Sequence, residues 1–525
     1  MPGMITAPQP LAVDTGARIL SEGGNAVDAA VAAAFVQMVA TPRSCGIGGF
    51  GMMNIHLGPQ GREVMLDFHG KAGSRVRPEM WESDILRENP TGYGYSLTNQ
   101  VNERGYKSIT TPGTLAGLYQ ALSDHGTLPW SAALQPAIEV AGAGFEVSAA
   151  TAKAWQALPT GSEASPWISR GKSPYDDGAE IIANPDMADT LRALAEGGTD
   201  LFYRGELAEE IAADMERGGG FITLADLNGY QVTVNDPLCA DYRGLTVASN
   251  QPPGGGVTIL QTLKILEGYD LAAMGHLSPE YVYTVSMAMK AAWADRADHV
   301  GDPAFVEVPL EDLLSEDRAA RWRDRIDRRE AIAIPRWQPH EPTETTHLSA
   351  VDPWGNVVGL THSLGSGSDV VTQGLGFMYN NCMNCFNPMP GHVNSIEPGK
   401  SRGTGMAPTL VKKDGRPTFT VGAPGGTRIV TGILHAILNV VDHGMTATEA
   451  IAAPRFDCQG DVIVAHARIA PSVCDRVKAL GHDMRRTLSG YGGIGSVHGI
   501  VMDPDTCKLD GGADPGDPGM AMSTP

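Results

Sequence analysis

Hydrophobic and polar positions alternate on both sides of a short turn sequence in the second half of the chain. Residues 344–363 read ETTHLSAVDPWGNVVGLTHS, in which two β-prone runs flank Asp352-Pro353-Trp354-Gly355. Aspartate, proline and glycine at the first, second and fourth positions predict a type I turn followed by a left-handed residue, a common hairpin loop. Counting outward along both strands places Thr345 opposite Ser363, with β-carbons about 5 Å apart. The pattern therefore predicts a hairpin that brings two hydroxyl groups to one face at its open end.

Helical and alternating patterns predict the other main elements. Helices are predicted over residues 10–20, 26–39, 114–124, 257–266, 311–330 and 429–441, and residues 149–219 are predicted to be mostly helical. Strands are predicted over residues 52–57, 64–68, 241–248 and 418–421. Asn25 is the expected N-cap of the second helix, which is alanine-rich on every side and should be buried. The local patterns therefore indicate a chain of mixed helices and strands.

The charge balance limits the class of protein. The chain has 525 residues, of which 42% are hydrophobic and 19% charged, and its formal net charge is −21. This composition is typical of a globular protein. The negative charge argues against nucleic acid or an anionic membrane as a partner. The most apolar stretch, residues 26–40, contains Asp28 and Gln37 and is too short to span a bilayer.

The N-terminus and the cysteines bear on the compartment. The first residues lack the basic and apolar segments of a signal peptide. Seven scattered cysteines, an odd number, indicate reduced thiols, so a cytoplasmic location is expected. Cys382 and Cys385 form a Cys-x-x-Cys without a second pair or histidines at metal spacing, which is weak evidence for zinc or redox chemistry. We expect them to pack or to line a pocket, and we expect no metal or organic cofactor.

Thr345 becomes a candidate nucleophile only if the chain is cut before it. A mid-chain threonine is a poor nucleophile because nothing nearby takes its proton. If the bond between Glu344 and Thr345 is cut, the freed amine lies beside the hydroxyl and can act as its base. An α-amino group titrates near pH ~7.7–8, so it can accept a proton at neutral pH, while Ser363 would hold the hydroxyl in place. The competing interpretation is that Thr345 and Thr346 are ordinary strand residues.

The same stretch resembles the processing site of the γ-glutamyltransferases, a family of N-terminal-nucleophile hydrolases made as single-chain proenzymes. Thr345-Thr346-His347 and residues 352–358 carry the resemblance, and further matches extend over about residues 8–515. The resemblance implies an α+β fold, a four-layer αββα sandwich, and self-cleavage between Glu344 and Thr345. The products would be a large subunit, residues 1–344, and a small subunit, residues 345–525, forming one intertwined structural domain.

Gly425 and Gly426 lie between a predicted strand and a predicted helix. Two consecutive amides before a helix can point at a developing oxyanion, aided by the helix dipole. The alternative is a tight strand-to-helix turn. The family uses this glycine pair as an oxyanion hole, and the resemblance therefore implies four catalytic residues, namely Thr345, Ser363, Gly425 and Gly426.

Positions that bind the γ-glutamyl group in the family differ here. His69 stands where an arginine is common, Gly365 where asparagine is common, and Gly405 within a usual pair of serines. Cys385 stands where an aspartate binds the substrate ammonium. Losing that partner would cost of order 2 kcal/mol or more in a closed pocket, so an acyl group without an ammonium is expected.

The remaining polar residues of this region are the candidates for binding the acyl group. Arg402, Thr404 and His69 are expected to hold a substrate carboxylate. The full set of expected substrate-binding residues is His69, Arg402, Thr404, Asn384 and Cys385. For His69 and Arg402 a structural role, such as packing or an ion pair, is the open alternative.

These departures resemble the oxamate amidohydrolase branch of the family. The expected function is a self-processing N-terminal threonine amidohydrolase that cleaves a small, oxamate-like amide through an acyl-threonine intermediate. One alternative is a γ-glutamyl hydrolase or transpeptidase acting on glutathione-like substrates. Another is an uncleaved binding or thiol-sensing protein. The expected partners are a small-molecule amide and the two subunits of one precursor, with a homodimer of heterodimers left open.

Overall fold

Strands and helices follow one another along the computed structural model, which describes residues 2–88, 95–147, 181–334 and 344–524. The strands are Met4–Ala7 (β1), Phe50–Leu57 (β2), Arg62–Phe68 (β3), Ile85–Glu88 (β4), Tyr95–Leu97 (β5), Phe145–Glu146 (β6), Ile181–Ile182 (β7), Thr233–Asn235 (β8), Leu238–Tyr242 (β9), Leu245–Ser249 (β10), Thr345–Val351 (β11), Val357–Ser363 (β12), Thr409–Lys413 (β13), Arg416–Gly422 (β14), Phe456–Asp457 (β15), Val462–Ala465 (β16), Asp483–Arg486 (β17), His498–Met502 (β18), Leu509–Ala513 (β19) and Met520–Ser523 (β20). The α-helices are Pro10–Ser21 (α1), Ala26–Ala40 (α2), Thr114–His125 (α3), Trp130–Ala143 (α4), Pro185–Tyr203 (α5), Glu206–Arg217 (α6), Leu224–Asn228 (α7), Gly256–Leu266 (α8), Leu271–Met274 (α9), Pro279–His299 (α10), Leu310–Leu313 (α11), Glu316–Asp327 (α12), Arg428–Val441 (α13), Ala447–Ala452 (α14) and Pro471–Ala479 (α15).

Two antiparallel sheets form the centre of the fold. The first has the strand order β20-β1-β11-β12-β2-β3-β8, and the second has the order β19-β18-β14-β13-β10-β9. The sheets are stacked, because β11 contacts both β14 and β18, and β12 contacts β14. Side chains alternate between the two faces of a strand. One set of β11 side chains therefore faces the second sheet, and the other set faces the helices outside.

Helices cover the outer face of each sheet. Phe35 of α2 and Leu348 of β11 belong to one apolar core, and Leu260 of α8 and Phe419 of β14 belong to another. The order helix, sheet, sheet, helix confirms the expected αββα sandwich. Among the described residues, no helix is both long and apolar enough to cross a membrane.

The hairpin formed by β11 and β12 has the predicted register. Thr345 pairs with Ser363, and the pairing continues to Val351 and Val357 next to the turn. Gly355 has a φ of 85°, and its amide donates to a carbonyl three residues earlier over 3.1 Å. These values match the predicted type I turn with a following left-handed residue.

The Asp352 carboxylate joins this turn to the start of α2. It accepts hydrogen bonds from the backbone amides of Trp354, Asn356 and Ala26 over 2.9, 3.0 and 2.9 Å, and from the Asn356 side chain over 2.6 Å. Ala26 is the first residue of α2. Asp352 is fully buried, so these four donors replace the water that a carboxylate would otherwise require.

One predicted strand is wrong in extent. Residues 241–248 contain the end of β9 and most of β10, which pair with each other as a hairpin. Arg243 and Gly244 form the turn between them, with φ values of 53° and 74°. The strand-like pattern of residues 241–248 continues across this turn, because a loop of only two residues hardly interrupts it.

The long charged helix predicted over residues 311–330 is also interrupted. It consists of α11 and α12, and the Ser315 hydroxyl between them accepts a hydrogen bond from the Arg318 amide over 3.0 Å. In the region predicted to be mostly helical, α5 and α6 are helices as expected. Residues 149–180 of that region lie outside the described residues.

Replacing Asp352 with alanine should destabilise the fold, because four donors would lose their shared acceptor. Hydrogen bonds to a charged group contribute about 1.5–3 kcal/mol each, so we expect a loss of at least ~3 kcal/mol and a melting temperature lower by several degrees. Thermal unfolding followed by circular dichroism measures this. Asp352→Asn is the matched control and should lose less, because its side-chain oxygen still accepts. An alanine variant that melts with the native chain would contradict the assignment.

Candidate active site

Thr345 is the first residue of β11, and its hydroxyl contacts Ser363. The Thr345 Oγ1 and Ser363 Oγ atoms are 3.0 Å apart. Ser363 Oγ also donates to the Glu344 carbonyl over 2.8 Å and accepts from the Gly365 amide over 2.8 Å. The candidate nucleophile, a second hydroxyl and the carbonyl of the bond before Thr345 therefore form one cluster.

A row of four residues crosses the first sheet at the level of Thr345. Thr345 pairs with Ser363, and Ser363 pairs with Phe50 on β2. The His69 ring lies 4.6 Å from the Phe50 ring, centroid to centroid. Neighbouring strands are about 4.8 Å apart, so Phe50 lies about 10 Å from Thr345 along this row.

The second sheet packs directly over the hairpin. A β-carbon added to Gly422 at the end of β14 would lie 2.2 Å from His347 Cε1, and Ser349 Oγ lies 3.5 Å from Thr420 Oγ1. Where they face each other, β11 and β14 therefore run in opposite directions. Moving back along β11 from His347 to Thr345 therefore corresponds to moving forward along the chain past Gly422, the last residue of β14.

Gly425 and Gly426 lie on this extension of β14, just before α13. Their φ values are 137° and 60°, which side chains other than glycine seldom adopt. The pair therefore lies at the end of the second sheet that faces Thr345, with the positive end of the α13 dipole behind it. An oxyanion hole for a Thr345-bound intermediate requires this placement.

A network of neutral polar groups holds the opposite face of the hairpin end. Gln37 of α2 donates to Thr346 Oγ1 over 2.9 Å, and Thr346 donates to Gln9 over 3.1 Å. The His362 ring lies 2.9 Å from the Gln37 side-chain oxygen, and burial lowers the pKa of His362 to about 3. Sequence analysis did not identify Gln9 as part of the site and noted Gln37 only as a polar residue in an apolar stretch.

Arg43 is a second residue that sequence analysis missed. Its guanidinium lies 3.6 Å from the Glu344 carboxylate and donates to the Ser366 carbonyl over 3.4 Å. Burial raises the pKa of Glu344, the Arg43 charge lowers it in part, and Asp369 raises it. The residue before the candidate cleavage point is therefore anchored by its side chain.

His69 is buried and neutral. Its Nδ1 lies 3.1 Å from the Gly70 carbonyl, which can only accept, so Nδ1 carries the proton. Burial, together with the charge of Arg402, lowers the pKa of His69 to about 3. Among the residues that the structure describes, none is a hydrogen-bond partner of the buried Nε2, which presents a lone pair. Without a ligand His69 thus offers an acceptor, and its contact with a substrate carboxylate stays a prediction.

Arg402 places a buried positive charge beside His69. Its guanidinium lies 5.1 Å from the centre of the Phe50 ring, donates to the Gly403 carbonyl over 2.8 Å and hydrogen-bonds with the Cys382 thiol. Burial raises the pKa of Cys382, and Arg402 offsets part of this rise. Cys382 is therefore a neutral thiol in the wall beside Arg402.

Two loops near Arg402 are tied together by Asn394. Its side chain donates to the Cys385 carbonyl over 2.7 Å and accepts from the Gly403 amide over 2.8 Å. The Cys385 thiol donates to Asn384 Oδ1 over 2.8 Å. The Thr404 hydroxyl, the remaining predicted binding group, accepts from the Met406 amide over 3.2 Å.

Gly405 lies against the glycine pair. A β-carbon added to Gly405 would lie 2.2 Å from the Gly426 carbonyl oxygen and 3.0 Å from the Gly426 carbonyl carbon. A serine at this position, as is usual in the family that the sequence resembles, would therefore collide with backbone. The absence of a side chain here has a steric cause.

Comparison with known proteins assigns the family. The sequence profile named Gamma-glutamyltranspeptidase matches residues 12–524. The chain belongs to this family. It is 36% identical over 514 residues to "Acylase ACY 1 proenzyme" of Pseudomonas sp. strain V22, covering 96% of this chain and 90% of the relative. It is 34% identical over 545 residues to "Glutathione hydrolase proenzyme" of Escherichia coli, covering 98% and 90%.

A solved structure gives the same answer for the fold. The cephalosporin acylase from Bacillus halodurans superposes with a TM-score of 0.88 at 29% identity, covering 99% of this chain and 95% of that one. This gamma-glutamyltranspeptidase family member is therefore a hydrolase with the N-terminal-nucleophile fold, related to proteins made as proenzymes. The alternative of a non-enzymatic binding or sensing protein is wrong.

Replacing Gly405 with serine should impair catalysis, even though it restores the residue usual in the family. The new side chain would displace the Gly426 backbone, and misplacing one oxyanion donor costs about 100-fold in kcat. Steady-state kinetics with any hydrolysed amide measures this. Thr404→Ser is the matched control, because it keeps a hydroxyl at the neighbouring position, and kcat should stay close to native. A fully active Gly405→Ser enzyme would argue against the steric account.

Proposed function

We propose that the chain cuts its own Glu344–Thr345 bond and then hydrolyses amides whose acyl group ends in a carboxylate. The observation that carries this proposal is the 3.0 Å contact between Thr345 Oγ1 and Ser363 Oγ beside the Glu344 carbonyl. Residues 1–344 would form the large subunit, and residues 345–525 would form the small subunit.

The mature enzyme uses the free amine of Thr345 as its base. The amine takes the hydroxyl proton as Thr345 Oγ1 attacks the substrate carbonyl. The amides of Gly425 and Gly426 stabilise the oxyanion. The protonated amine then gives its proton to the leaving nitrogen, and an ester on Thr345 remains. Water, deprotonated by the same amine, attacks the ester and releases the acid.

The pocket favours an acyl group without an ammonium. Cys385 stands where the family's aspartate would pair with that charge, and its thiol is bound to Asn384. A β-carbon added to Gly365 would lie 2.2 Å from Asn381 Oδ1, so Asn381 fills the place of the usual asparagine side chain. A substrate ammonium would lose its carboxylate partner, at a cost of order 2 kcal/mol.

Arg402 supports a carboxylate at the far end of the acyl group. A guanidinium binds a carboxylate through two parallel hydrogen bonds. Arg402 lies over the Phe50 ring, and Phe50 is about 10 Å from Thr345 along the row of paired residues. An oxamate-like acyl group is the shortest acyl group that ends in a carboxylate. The acyl group of a longer dicarboxylic monoamide reaches Arg402 with less movement of the protein.

The relatives support hydrolysis of an acyl amide and favour one further candidate. The Pseudomonas relative and the Bacillus halodurans structure are named acylases. The Escherichia coli relative is named a glutathione hydrolase, which favours γ-glutamyl hydrolysis or transfer as the second candidate.

Replacing Thr345 with alanine should abolish self-cleavage and amide hydrolysis together, because one hydroxyl performs both reactions. Intact mass spectrometry of purified protein measures cleavage, and release of p-nitroaniline from acyl p-nitroanilides measures hydrolysis. Thr345→Ser is the matched control and should keep both activities at reduced rates. Hydrolysis by the alanine variant would refute the assignment of the nucleophile.

Replacing Arg402 with leucine should weaken binding of carboxylate-bearing substrates selectively. Loss of a charge-assisted pair worth about 1.5–3 kcal/mol raises KM by about 10- to 100-fold with little change in kcat. A panel of oxalyl, succinyl, glutaryl and γ-glutamyl p-nitroanilides, with a neutral acyl anilide as the control substrate, measures this. The native enzyme should prefer one of the first three. Preference for the γ-glutamyl compound would favour the second candidate.

A further inference from the structure

The hydroxyl of Ser363 has a complete set of hydrogen bonds. A serine hydroxyl donates one hydrogen and accepts two. Its hydrogen goes to the Glu344 carbonyl over 2.8 Å, because a carbonyl cannot donate. Its oxygen accepts from the Gly365 amide over 2.8 Å. The 3.0 Å contact with Thr345 must therefore have Thr345 as the donor.

The three groups thus form a directed chain. The Thr345 hydroxyl donates to Ser363, and the Ser363 hydroxyl donates to the carbonyl of Glu344. That carbonyl belongs to the bond that self-cleavage would break. The nucleophile and the carbonyl oxygen it must activate are therefore connected through a single side chain, which is 1% exposed.

Self-cleavage needs such a connection because the free amine of Thr345, the base in turnover, does not yet exist. Before cleavage, the nitrogen of Thr345 is part of an amide and has no basic lone pair. The base used in turnover thus exists only after the first bond has been cut. Attack on Glu344 also needs a proton donor, since an alkoxide on the carbonyl oxygen is costly at a half-buried site.

We propose that Ser363 relays the Thr345 proton to the Glu344 carbonyl oxygen during self-cleavage. As Thr345 Oγ1 bonds to the carbonyl carbon, its proton passes to Ser363 Oγ, and the Ser363 proton passes to the carbonyl oxygen. The tetrahedral intermediate is neutral, and Ser363 ends with the hydrogen count it began with. This inference rests on the proposed self-cleavage before Thr345.

The remaining steps balance without another reactant except water. The carbon–nitrogen bond breaks, the proton of the new hydroxyl goes to the Thr345 nitrogen, and the carbonyl re-forms as an ester on Thr345 Oγ1. The freed amine then assists attack by water on that ester. The products are a Glu344 carboxylate and an N-terminal threonine with a free hydroxyl.

The charges around the relay are paired. The Glu344 carboxylate lies 3.6 Å from Arg43, and Asp369, which also influences Glu344, lies 3.6 Å from Arg104. These pairs do not take part in the transfer. The Arg43 pair anchors the Glu344 side chain, which helps to keep the Glu344 carbonyl within reach of Ser363.

A neutral relay makes the two reactions of this site respond differently to pH. Neither hydroxyl titrates between pH ~7 and ~9, so the rate of self-cleavage should be flat there. Turnover by the mature enzyme should rise with pH as the N-terminal amine loses its proton near pH ~7.7–8.

The test follows self-cleavage in freshly synthesised full-length chain, with pulse-labelled methionine and separation of the fragments on gels. Ser363→Ala should slow cleavage by about 100-fold or more, the usual effect of losing a proton-transfer group, and Ser363→Thr should restore most of the rate. The melting temperature of each variant reports on its folding. A Ser363→Ala chain that cleaves at the native rate would overturn the relay.

The native chain supplies a test that needs no variant. The relay moves two protons in one step. The rate of self-cleavage should therefore fall in D2O, with a curved, quadratic dependence on the deuterium fraction. A linear dependence or no isotope effect would overturn the relay, as would a cleavage rate that rises with pH like turnover. A native chain that stays intact, with one mass at full length, would instead overturn the proposed function itself.

Discussion

The pairing of β11 with β12 is the constraint on which the site depends. Its register places Thr345 opposite Ser363 and directs both hydroxyls towards the second sheet. A slip of one residue would send Thr345 to the face covered by helices. The Asp352 carboxylate opposes such a slip, because it binds the turn and the first amide of α2 at the same time.

Around this hairpin, buried histidines act as neutral hydrogen-bonding groups. His347 contacts Thr361 over 2.9 Å and Ser349 over 3.0 Å. Burial lowers the pKa values of His347 and His362 well below the physiological range. Their contacts therefore do not change between pH 6 and 9, roughly the range in which an N-terminal amine titrates. The geometry stays constant while the proposed base changes its charge.

The hairpin register could be predicted from sequence because it depends on local features, namely turn chemistry and a two-residue period. The contributions of Gln9, Gln37 and Arg43 could not, since they come from helices and loops more than 300 residues away in the chain. The same limit applies to His69. Its position beside the pocket followed from resemblance, but its tautomer depends on the Gly70 carbonyl and on the charge of Arg402, which only the folded structure brings together.

Strand order has a consequence for the proposed cleavage before Thr345, which would divide the chain into an N-terminal and a C-terminal fragment. In the first sheet, β1 from the N-terminal fragment lies between β20 and β11 from the C-terminal fragment, and β12 pairs with β2. The two fragments would therefore share one hydrogen-bonded sheet. Separating them would require breaking three strand pairings in that sheet alone, so the proposed cleavage would remove a covalent link without separating the two fragments.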